Sequence, residues 1–267
     1  MLSRSDEEEQ KLEDLFELKI QKPYLANYKS SAVETDNPVL GTIEKDAAGH
    51  FGRFVKEDFR AFELAAYVLH DQPKSLLDVG AGNLLAASYF SHHGILTDIC
   101  DFESSPYFSV PEAVRSGVNQ FHFGDFATME INKKYNAVWC SHVLEHILNV
   151  DQFLRKIHSV LIDDGYLYIS VPPRKPFMVS GHVNLFTPGL LVYRLILAGF
   201  NCKLATVFQY DYNICVRVKK DNSILTNEDL NFDIGDLEKL KNYFPVDISE
   251  GINGDWLEVN HYLNSKF

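Results

Sequence analysis

From Lys74 onwards, short apolar runs rich in β-branched and aromatic residues alternate with stretches whose apolar residues recur at helical spacing. Such runs predict strands, and the stretches between them predict amphipathic helices. The predicted strands are 75–80, 95–100, 120–125, 136–141 and 165–171, and the predicted helices are 84–93, 111–117, 142–148 and 151–161. Strands that alternate with helices favour a parallel sheet covered by helices on both faces.

The end of this region departs from the alternation. A helical stretch at 187–200 leads into two strand-like runs, 202–210 and 212–220, with almost no residues between them. Two strands joined so closely must form an antiparallel hairpin. The sequence therefore predicts an α/β, Rossmann-like fold with a seven-stranded, mostly parallel sheet that ends in an antiparallel hairpin.

Composition changes outside the sheet divide the chain into three predicted parts. Residues 1–70 form an N-terminal helical extension or cap, 71–220 form the core, and 221–267 form a C-terminal extension with one predicted helix at 233–244. We interpret the C-terminal extension as a segment that packs on the core, as a lid over a substrate, or as the contact surface of a homodimer.

Charge and cysteine usage narrow the class of partner. The 267-residue chain has a net charge of −12 and no basic stripe, whereas a nucleic-acid partner requires a basic face. No apolar run reaches the roughly 18–20 residues of a membrane span, and the acidic N-terminus is unlike a secretory signal. The four cysteines lack CxxC spacing, which favours reduced core residues. We therefore expect a cytoplasmic protein without a nucleic-acid or membrane partner.

A glycine turn closes the first predicted strand and opens the following helix. Gly80 permits a tight turn, and Gly82 allows the backbone to approach a ligand without a Cβ in the way. The helix N-terminus that follows offers free N–H groups and a partial positive charge. A dinucleotide fits less well, because Leu85 stands where the third glycine of GxGxxG would be.

Acidic residues end the next two predicted strands. Asp101 lies where a carboxylate can accept two ribose hydroxyls, whereas Asp98, inside the same strand, is interpreted as a face residue. Asp125 ends the third strand, where its carboxylate can accept a hydrogen bond from the amino group of adenine. Phe102 and Phe126 either flank the adenine ring or pack in the core. Because the carboxyl ends of parallel strands open at one edge of the sheet, these groups predict a nucleoside site.

In order along the chain, these motifs resemble those of the class I S-adenosylmethionine-dependent methyltransferases. The segments that carry the resemblance are 77–82, Asp101, 124–126, 143–146 and 165–167. The resemblance covers residues 74–220 and is nearest to the small-molecule group typified by the ubiquinone-biosynthesis O-methyltransferases. It implies that the 80–82 turn holds the methionine portion of S-adenosylmethionine, that Asp101 binds ribose, and that Asp125 with Phe126 binds adenine.

The predicted cofactor-binding set has ten members: Asp78, Gly80, Ala81, Gly82, Asp101, Phe102, Gly124, Asp125, Phe126 and Ser141. Two positions depart from the family pattern. Leu84 stands where a glycine is often found, which the family tolerates. Asn136 stands where an acid often begins the fourth strand, and we expect this change to affect local packing only.

Histidines near the same edge of the sheet are candidates for the chemistry of methyl transfer, which requires an aligned nucleophile and, for a hydroxyl, a base. His142, Glu145 and His146 follow the fourth strand at i, i+3 and i+4, which on a helix places them on one face. His182 falls in the loop after the fifth strand. Since histidine suits proton removal near neutral pH, His142, His146 and His182 are the candidate bases.

The same three histidines with Glu145 also form a credible divalent-metal site. Some ubiquinone-type O-methyltransferases, and the small-RNA 2′-O-methyltransferases, carry Glu-x-x-Glu-His here and use a metal. The Leu-Glu-His motif is also widespread in methyltransferases without a metal, where it caps or packs the helix. Three interpretations therefore stay open: a metal site, a metal-free general base, or a structural role. Arg174 is interpreted as a contact for an anionic substrate or as a surface residue.

The resemblance implies an S-adenosylmethionine-dependent methyltransferase. We expect it to methylate a hydroxyl of a small-molecule acceptor, with a sugar or polyol precursor as one class. The alternatives are an N-methyltransferase acting on a small amine or amide, and a non-catalytic cofactor-binding subunit.

Overall fold

The computed structural model describes residues 60–105, 117–221 and 230–262, all of which belong to one compact unit, 36–267. Most of the predicted N-terminal extension, and the predicted helix at 111–117 except for its last residue, lie outside the described residues. The three-part division of the chain stays a prediction.

Seven strands form one sheet, and their bounds are Ser75–Val79 (β1), Leu96–Asp101 (β2), Gln120–Phe123 (β3), Tyr135–Ser141 (β4), Leu161–Val171 (β5), Thr206–Tyr210 (β6) and Asn213–Lys219 (β7). The strand order is β3-β2-β1-β4-β5-β7-β6. Strands β1 to β5 pair in parallel, whereas β7 is antiparallel to both β5 and β6. The predicted fold class, including the terminal hairpin, is therefore confirmed.

The described helices are Phe62–Asp71 (α1), Leu85–His92 (α2), Val150–Val160 (α3), Pro188–Leu197 (α4) and Asp236–Leu240 (α5), with short 3-10 turns at Leu144–His146 and Lys241–Tyr243. None of these described helices has the length and apolar character that a membrane span needs. Side-chain capping explains where two of these helices, α3 and α4, begin. Asn149 accepts the backbone N–H of Gln152, and Thr187 accepts that of Leu190, ahead of a proline that cannot donate.

The hydrophobic core lies between the sheet and its helices. Strands β1 and β4 are buried along almost their whole length, because helices cover both faces of a parallel sheet. The four cysteines are unpaired and buried in this core. In α3, Phe153, Leu154 and Ile157 face inward while Arg155 faces solvent, which is the amphipathic pattern that the sequence predicts.

The described part of the C-terminal extension packs against the core. Leu240, Phe244 and Leu257 are buried in the main hydrophobic cluster. Val259 exchanges two backbone hydrogen bonds of 2.9 Å with Val207 of β6. The chain here approaches the start of α4 so closely that a Cβ on Gly189 would lie 2.7 Å from the Cα of Gly254.

One predicted helix is wrong. Instead of an α-helix over 142–148, the chain forms a single 3-10 turn at Leu144–His146 and becomes extended at Ile147. His142 precedes this turn with a left-handed backbone, at φ 56°. The change redirects the side chains that follow β4, and it alters the predicted cluster of histidines.

Candidate active site

A cavity of about 540 Å³ opens at the carboxyl edge of the sheet, where β1 and β4 end. The 80–82 turn and Asp78 line one part of it. His142, Glu145, His146 and His182 line another. The structure thus brings the predicted glycine turn and the predicted catalytic residues to one cavity.

The glycine turn is held by backbone geometry that a side chain would disrupt. Gly80 has a φ of 77°, and a Cβ there would lie 2.2 Å from Cγ2 of Val143. Its N–H donates to the carbonyl of Cys100 at 2.8 Å. Next along the turn, the N–H of Gly82 donates to Oδ2 of Asp101 at 2.7 Å. These two bonds fix the turn against the end of β2.

Asp78 is a buried carboxyl that faces the cavity and is only 2% exposed. Its Oδ2 finds no hydrogen-bond partner among the described residues. Burial and the nearby charge of Asp101 raise the pKa of Asp78 to about 8, against the effect of a hydrogen bond from the backbone of Ala87. A buried acid with an unused oxygen is suited to receive a cationic group of a ligand.

The predicted cofactor residues divide into two groups. Those that line the cavity are Asp78, Gly80, Ala81, Gly82 and Ser141; those that do not are Asp101, Phe102, Gly124, Asp125 and Phe126. The carboxylate of Asp125 accepts the N–H of Ala127 and the hydroxyl of Thr128, at 3.0 and 3.1 Å.

The two aromatic candidates for adenine behave differently from each other. The ring of Phe126 is 4% exposed and packs edge-to-face on Phe153 in the core, so its side chain is a core residue and does not flank a ligand. Phe102 is 53% exposed. The roles of the remaining members of the cofactor set stay predictions.

His142 is oriented by Asn213 at the start of β7. Nε2 of His142 lies 2.9 Å from Oδ1 of Asn213, whose amide group is itself oriented by a bond from Nδ2 to the carbonyl of Tyr210. Nε2 must therefore donate, while Nδ1 lies 3.4 Å from Oε1 of Glu145.

His146 lines the cavity with its Nε2 atom 3.8 Å from Oε1 of Glu145. Its Nδ1 lies 2.8 Å from the carbonyl of Gly181 and must donate to it, so Nε2 carries the lone pair of the neutral ring. Gly181 permits this contact, because a Cβ there would lie 3.1 Å from the same Nδ1. The ring of His182 stands nearly perpendicular to that of His146, with 5.0 Å between centroids.

The group of donor atoms that could hold a cation has three members, not the predicted four. Ligand atoms of Glu145, His146 and His182 lie within 4.8 Å of one another. His142 stands outside this set, because the 3-10 turn and the left-handed backbone direct its Nε2 to Asn213. Two imidazoles and a carboxylate are a chemically suitable donor set for a divalent transition metal.

Comparison with known protein families decides the class. A family of methyltransferase domains matches residues 51–202, which is more than half of the chain. The chain belongs to this methyltransferase family. The predicted recognition as a class I S-adenosylmethionine-dependent methyltransferase, and as an enzyme, is thereby confirmed; its assignment to the ubiquinone-type subgroup is not.

Solved structures similar to the methyltransferase support the fold. One is a protein of Nostoc punctiforme PCC 73102 described as an O-methyltransferase, with 18% identity and a TM-score of 0.50 over 59% of this chain and 55% of that one. Another is the 1,6-didemethyltoxoflavin-N1-methyltransferase of Burkholderia thailandensis with bound S-adenosylhomocysteine, at 18% identity and a TM-score of 0.52 over 83% and 92% of the chains. The methyltransferase thus spans about half of the Nostoc protein. No curated protein matches its sequence.

The residues present in the methyltransferase fit S-adenosylmethionine. The unused oxygen of Asp78 suits the ammonium group of the methionine portion. At Gly80 there is no room for a Cβ, which explains why the turn is built from glycine. Asp101, at the end of β2, uses both carboxylate oxygens to accept backbone N–H groups, from Gly82 and Phe102, each at 2.7 Å.

The cavity of the methyltransferase favours the neutral form of His182. Burial lowers the pKa of His182, and the charges of His146, His142 and Lys175 lower it further, while Glu145 opposes them. A neutral imidazole is the form that accepts a proton. The electrostatics therefore suit His182 to act as a base near neutral pH.

Sequence reasoning missed a cation of the cavity. Arg174, for which an anion contact and a surface position were both open, is exposed and forms a two-bond ion pair with Asp255. The next residue, Lys175, lines the cavity, as do Arg60 and Tyr212. The local sequence does not indicate which of two adjacent cations in one loop lines the cavity. The pairing of Arg174 with Asp255 in the C-terminal extension leaves Lys175 as the cation of this loop that lines the cavity.

Proposed function

We propose that the methyltransferase transfers a methyl group from S-adenosylmethionine to a hydroxyl of a small molecule, with His146 and His182 supplying the base. One observation carries the proposal: both imidazoles and Glu145 line the same cavity as the 80–82 turn. The bound cofactor supplies an activated methyl group. The protein must then orient the acceptor and take its proton.

The histidine cluster favours a hydroxyl over an amine as the acceptor. A neutral amine attacks with a lone pair that is already free, whereas a hydroxyl must lose a proton as it reacts. Nε2 of His146 carries a lone pair in the neutral ring, and His182 has a lowered pKa. Two imidazoles beside the buried carboxyl of Glu145 form an arrangement that can remove a proton.

A divalent ion held by Glu145, His146 and His182 is the second way to activate the same hydroxyl. The ion would lower the pKa of a bound hydroxyl. The two routes differ in their response to a chelator. Activity that survives dialysis against EDTA, with full metal analysis, assigns the proton to an imidazole, and loss that Mn²⁺, Co²⁺ or Zn²⁺ restores assigns the role to the metal.

The acceptor class follows from the charge of the chain. A net charge of −12 disfavours a polyanionic nucleic acid, so we propose a small molecule, with sugar and polyol precursors among the candidates, and a cytoplasmic location. The relatives of similar fold include both O- and N-methyltransferases, so N-methylation of a small amine or amide is the competing function. A homodimer formed through the C-terminal extension belongs to the same proposal.

The test has two stages. Isothermal titration with S-adenosylhomocysteine establishes cofactor binding, and a screen with labelled S-adenosylmethionine then compares polyols, sugars and phenols with amines and amides. Turnover of hydroxyl compounds, lost in the double variant His146→Asn/His182→Asn, supports the proposal. Turnover confined to amines replaces it with N-methylation. Cofactor binding without any turnover indicates a non-catalytic subunit.

A further inference from the structure

We propose that the acceptor is an anion, a hydroxyl compound bearing a carboxylate or a phosphate group, and that this group is bound by Lys175 at the wall of the cavity. The inference rests on the proposed function, because it names the class of acceptor that the same cavity takes. The bound anion would lie beside the histidines that remove the proton.

Lys175 is held in place without a counter-ion. Its Nζ lies 4.0 Å from the centroid of the Tyr212 ring and 5.9 Å from that of Phe177, which fixes the ammonium group by cation–π contacts. Within the described ranges, no carboxylate pairs with it. In a chain with 37 acidic and 25 basic residues, a lysine left unpaired in a cavity contrasts with Arg174, which pairs with Asp255.

Lys175 is close enough to the catalytic groups to direct an acceptor towards them. Its charge contributes to the lowered pKa of His182, and the Tyr212 ring beneath it lies 5.9 Å from the ring of His142. An acceptor whose anion pairs with Lys175 therefore has its nearby hydroxyls beside the histidines. Arg60 lines the cavity as well and adds a second positive charge.

Asp78 adds little negative charge to the cavity before ligands bind. The pKa of Asp78 is raised to about 8, so this carboxyl is mostly protonated at pH 7 before ligands bind. Glu145 is the other acid of the cavity, and its Oε1 lies 3.4 Å from Nδ1 of His142 and 3.8 Å from Nε2 of His146. Arg60 and Lys175 therefore outnumber the charged acids of the lining before ligands bind, and such an excess of positive charge attracts anions and repels cations.

Matched ligand pairs test the inference on protein saturated with S-adenosylhomocysteine. Gluconate is compared with sorbitol, glycerol 3-phosphate with glycerol, and inorganic phosphate serves as the bare anion. Saturation-transfer NMR at low ionic strength gives the dissociation constants of the four organic ligands, and displacement of a bound organic anion gives that of phosphate. We expect at least one anion to bind about tenfold more tightly than its neutral partner, as a charge-assisted hydrogen bond provides. The pair that shows the preference distinguishes a carboxylate from a phosphate.

Three variants show whether Lys175 is responsible. Lys175→Met removes the charge and should abolish the preference, and Lys175→Arg should keep it. Lys203→Met removes an exposed lysine of the loop before β6 and should leave every constant unchanged. Thermal unfolding of each variant establishes that it is folded.

The outcomes separate this inference from the proposed function. If S-adenosylhomocysteine does not bind, both fail. If it binds and the anions show no preference over their neutral partners, or bind nowhere up to tens of millimolar, the acceptor is not an anion and only this inference fails. A preference that persists in Lys175→Met also overturns it, because the anion is then bound elsewhere.

Discussion

Oδ2 of Asp101 accepts the backbone N–H of Gly82 at 2.7 Å, and this bond joins the end of β2 to the turn after β1. The other oxygen, Oδ1, accepts the N–H of Phe102 at the same distance. Both bonds require a carboxylate that accepts on two sides. Each oxygen keeps a further lone pair, so the same group can hold the turn and still accept a hydroxyl of a ligand.

Asp101→Asn should therefore weaken cofactor binding by about tenfold to a hundredfold, because an amide accepts through one oxygen only and its NH₂ group faces a backbone donor. Titration of S-adenosylhomocysteine measures the change. Glu103→Gln, an exposed carboxyl two residues further on, is the control and should bind as the parent protein does. An unchanged affinity in Asp101→Asn would remove Asp101 from the cofactor site.

Gly80→Ala should lower the free energy of unfolding by about 3 kcal/mol or more, because it adds a steric clash to an unfavourable backbone conformation. The new Cβ would lie 2.2 Å from Cγ2 of Val143. Gly94→Ala isolates the backbone part, since Gly94 has a similar φ of 81° and open space around its Cβ position. We expect this control to cost about 1 kcal/mol in urea unfolding.

The double variant Gly80→Ala/Val143→Ala tests the cause. Removing both γ-carbons of Val143 removes the clash and should return most of the difference between the two alanine variants. If Gly80→Ala and Gly94→Ala cost the same, the close approach of Val143 does not constrain the turn.

Local sequence patterns were sufficient to predict the sheet. Each strand is a short apolar run bounded by turn residues, and the two-residue connection between β6 and β7 allows only a hairpin. The glycine turn was also predicted from the sequence, and so was the unusual residue that follows it. Leu84, which stands where the family often has glycine, adopts a left-handed φ of 62° and is fully buried. Burial of its side chain compensates for the backbone cost at this position.

The geometry of the histidine cluster could not be predicted in the same way. Over a single turn, the spacing of His142, Glu145 and His146 fits a 3-10 turn as well as an α-helix. The bond from His142 to Asn213, 71 residues later, is a contact that this spacing does not show. Lys175 was missed for a related reason. Its exposure to the cavity follows from the pairing of Arg174 with Asp255, 81 residues away. Contacts between distant segments leave no periodic trace in the sequence.

Binding of S-adenosylmethionine at pH 6.5 should release protons. Burial raises the pKa of Asp78 to about 8, so the free protein holds this carboxyl protonated, whereas pairing with the cofactor's ammonium favours the ionised form. The sign follows: affinity rises as the pH increases from about 6.5 towards 8. Titrations in two buffers with different enthalpies of ionisation give the number of protons released.

Asp78→Asn keeps the shape of the side chain and removes its proton. In this variant the proton release should disappear and the affinity should no longer depend on pH through Asp78. Equal proton release in the parent protein and in Asp78→Asn would assign the titration to another group.

His182→Asn should reduce kcat by about 10²- to 10³-fold with the hydroxyl acceptor identified by the screen, while the affinity for S-adenosylhomocysteine stays within about twofold. Because the pKa of His182 is lowered, its ring stays neutral at pH 6.5 and becomes protonated only below it. With S-adenosylmethionine kept saturating at each pH, kcat of the parent enzyme should therefore fall only as the pH decreases below 6.5. His92→Asn, an exposed histidine at the end of α2, is the matched control and should leave the pH profile unchanged.

Lys175→Met provides an independent check on this assignment. The charge of Lys175 is one of the causes that lower the pKa of His182, so its removal should move the acid limb of the kcat profile to higher pH. Asn213→Ala instead frees Nε2 of His142 and keeps the charge of Lys175, and it should lower kcat with a smaller shift of that limb. A different outcome would contradict His182 as the only base. If the limb stays in place in Lys175→Met, but shifts in His146→Asn and is lost in His182→Asn, the two imidazoles titrate as a coupled pair and neither alone is the base.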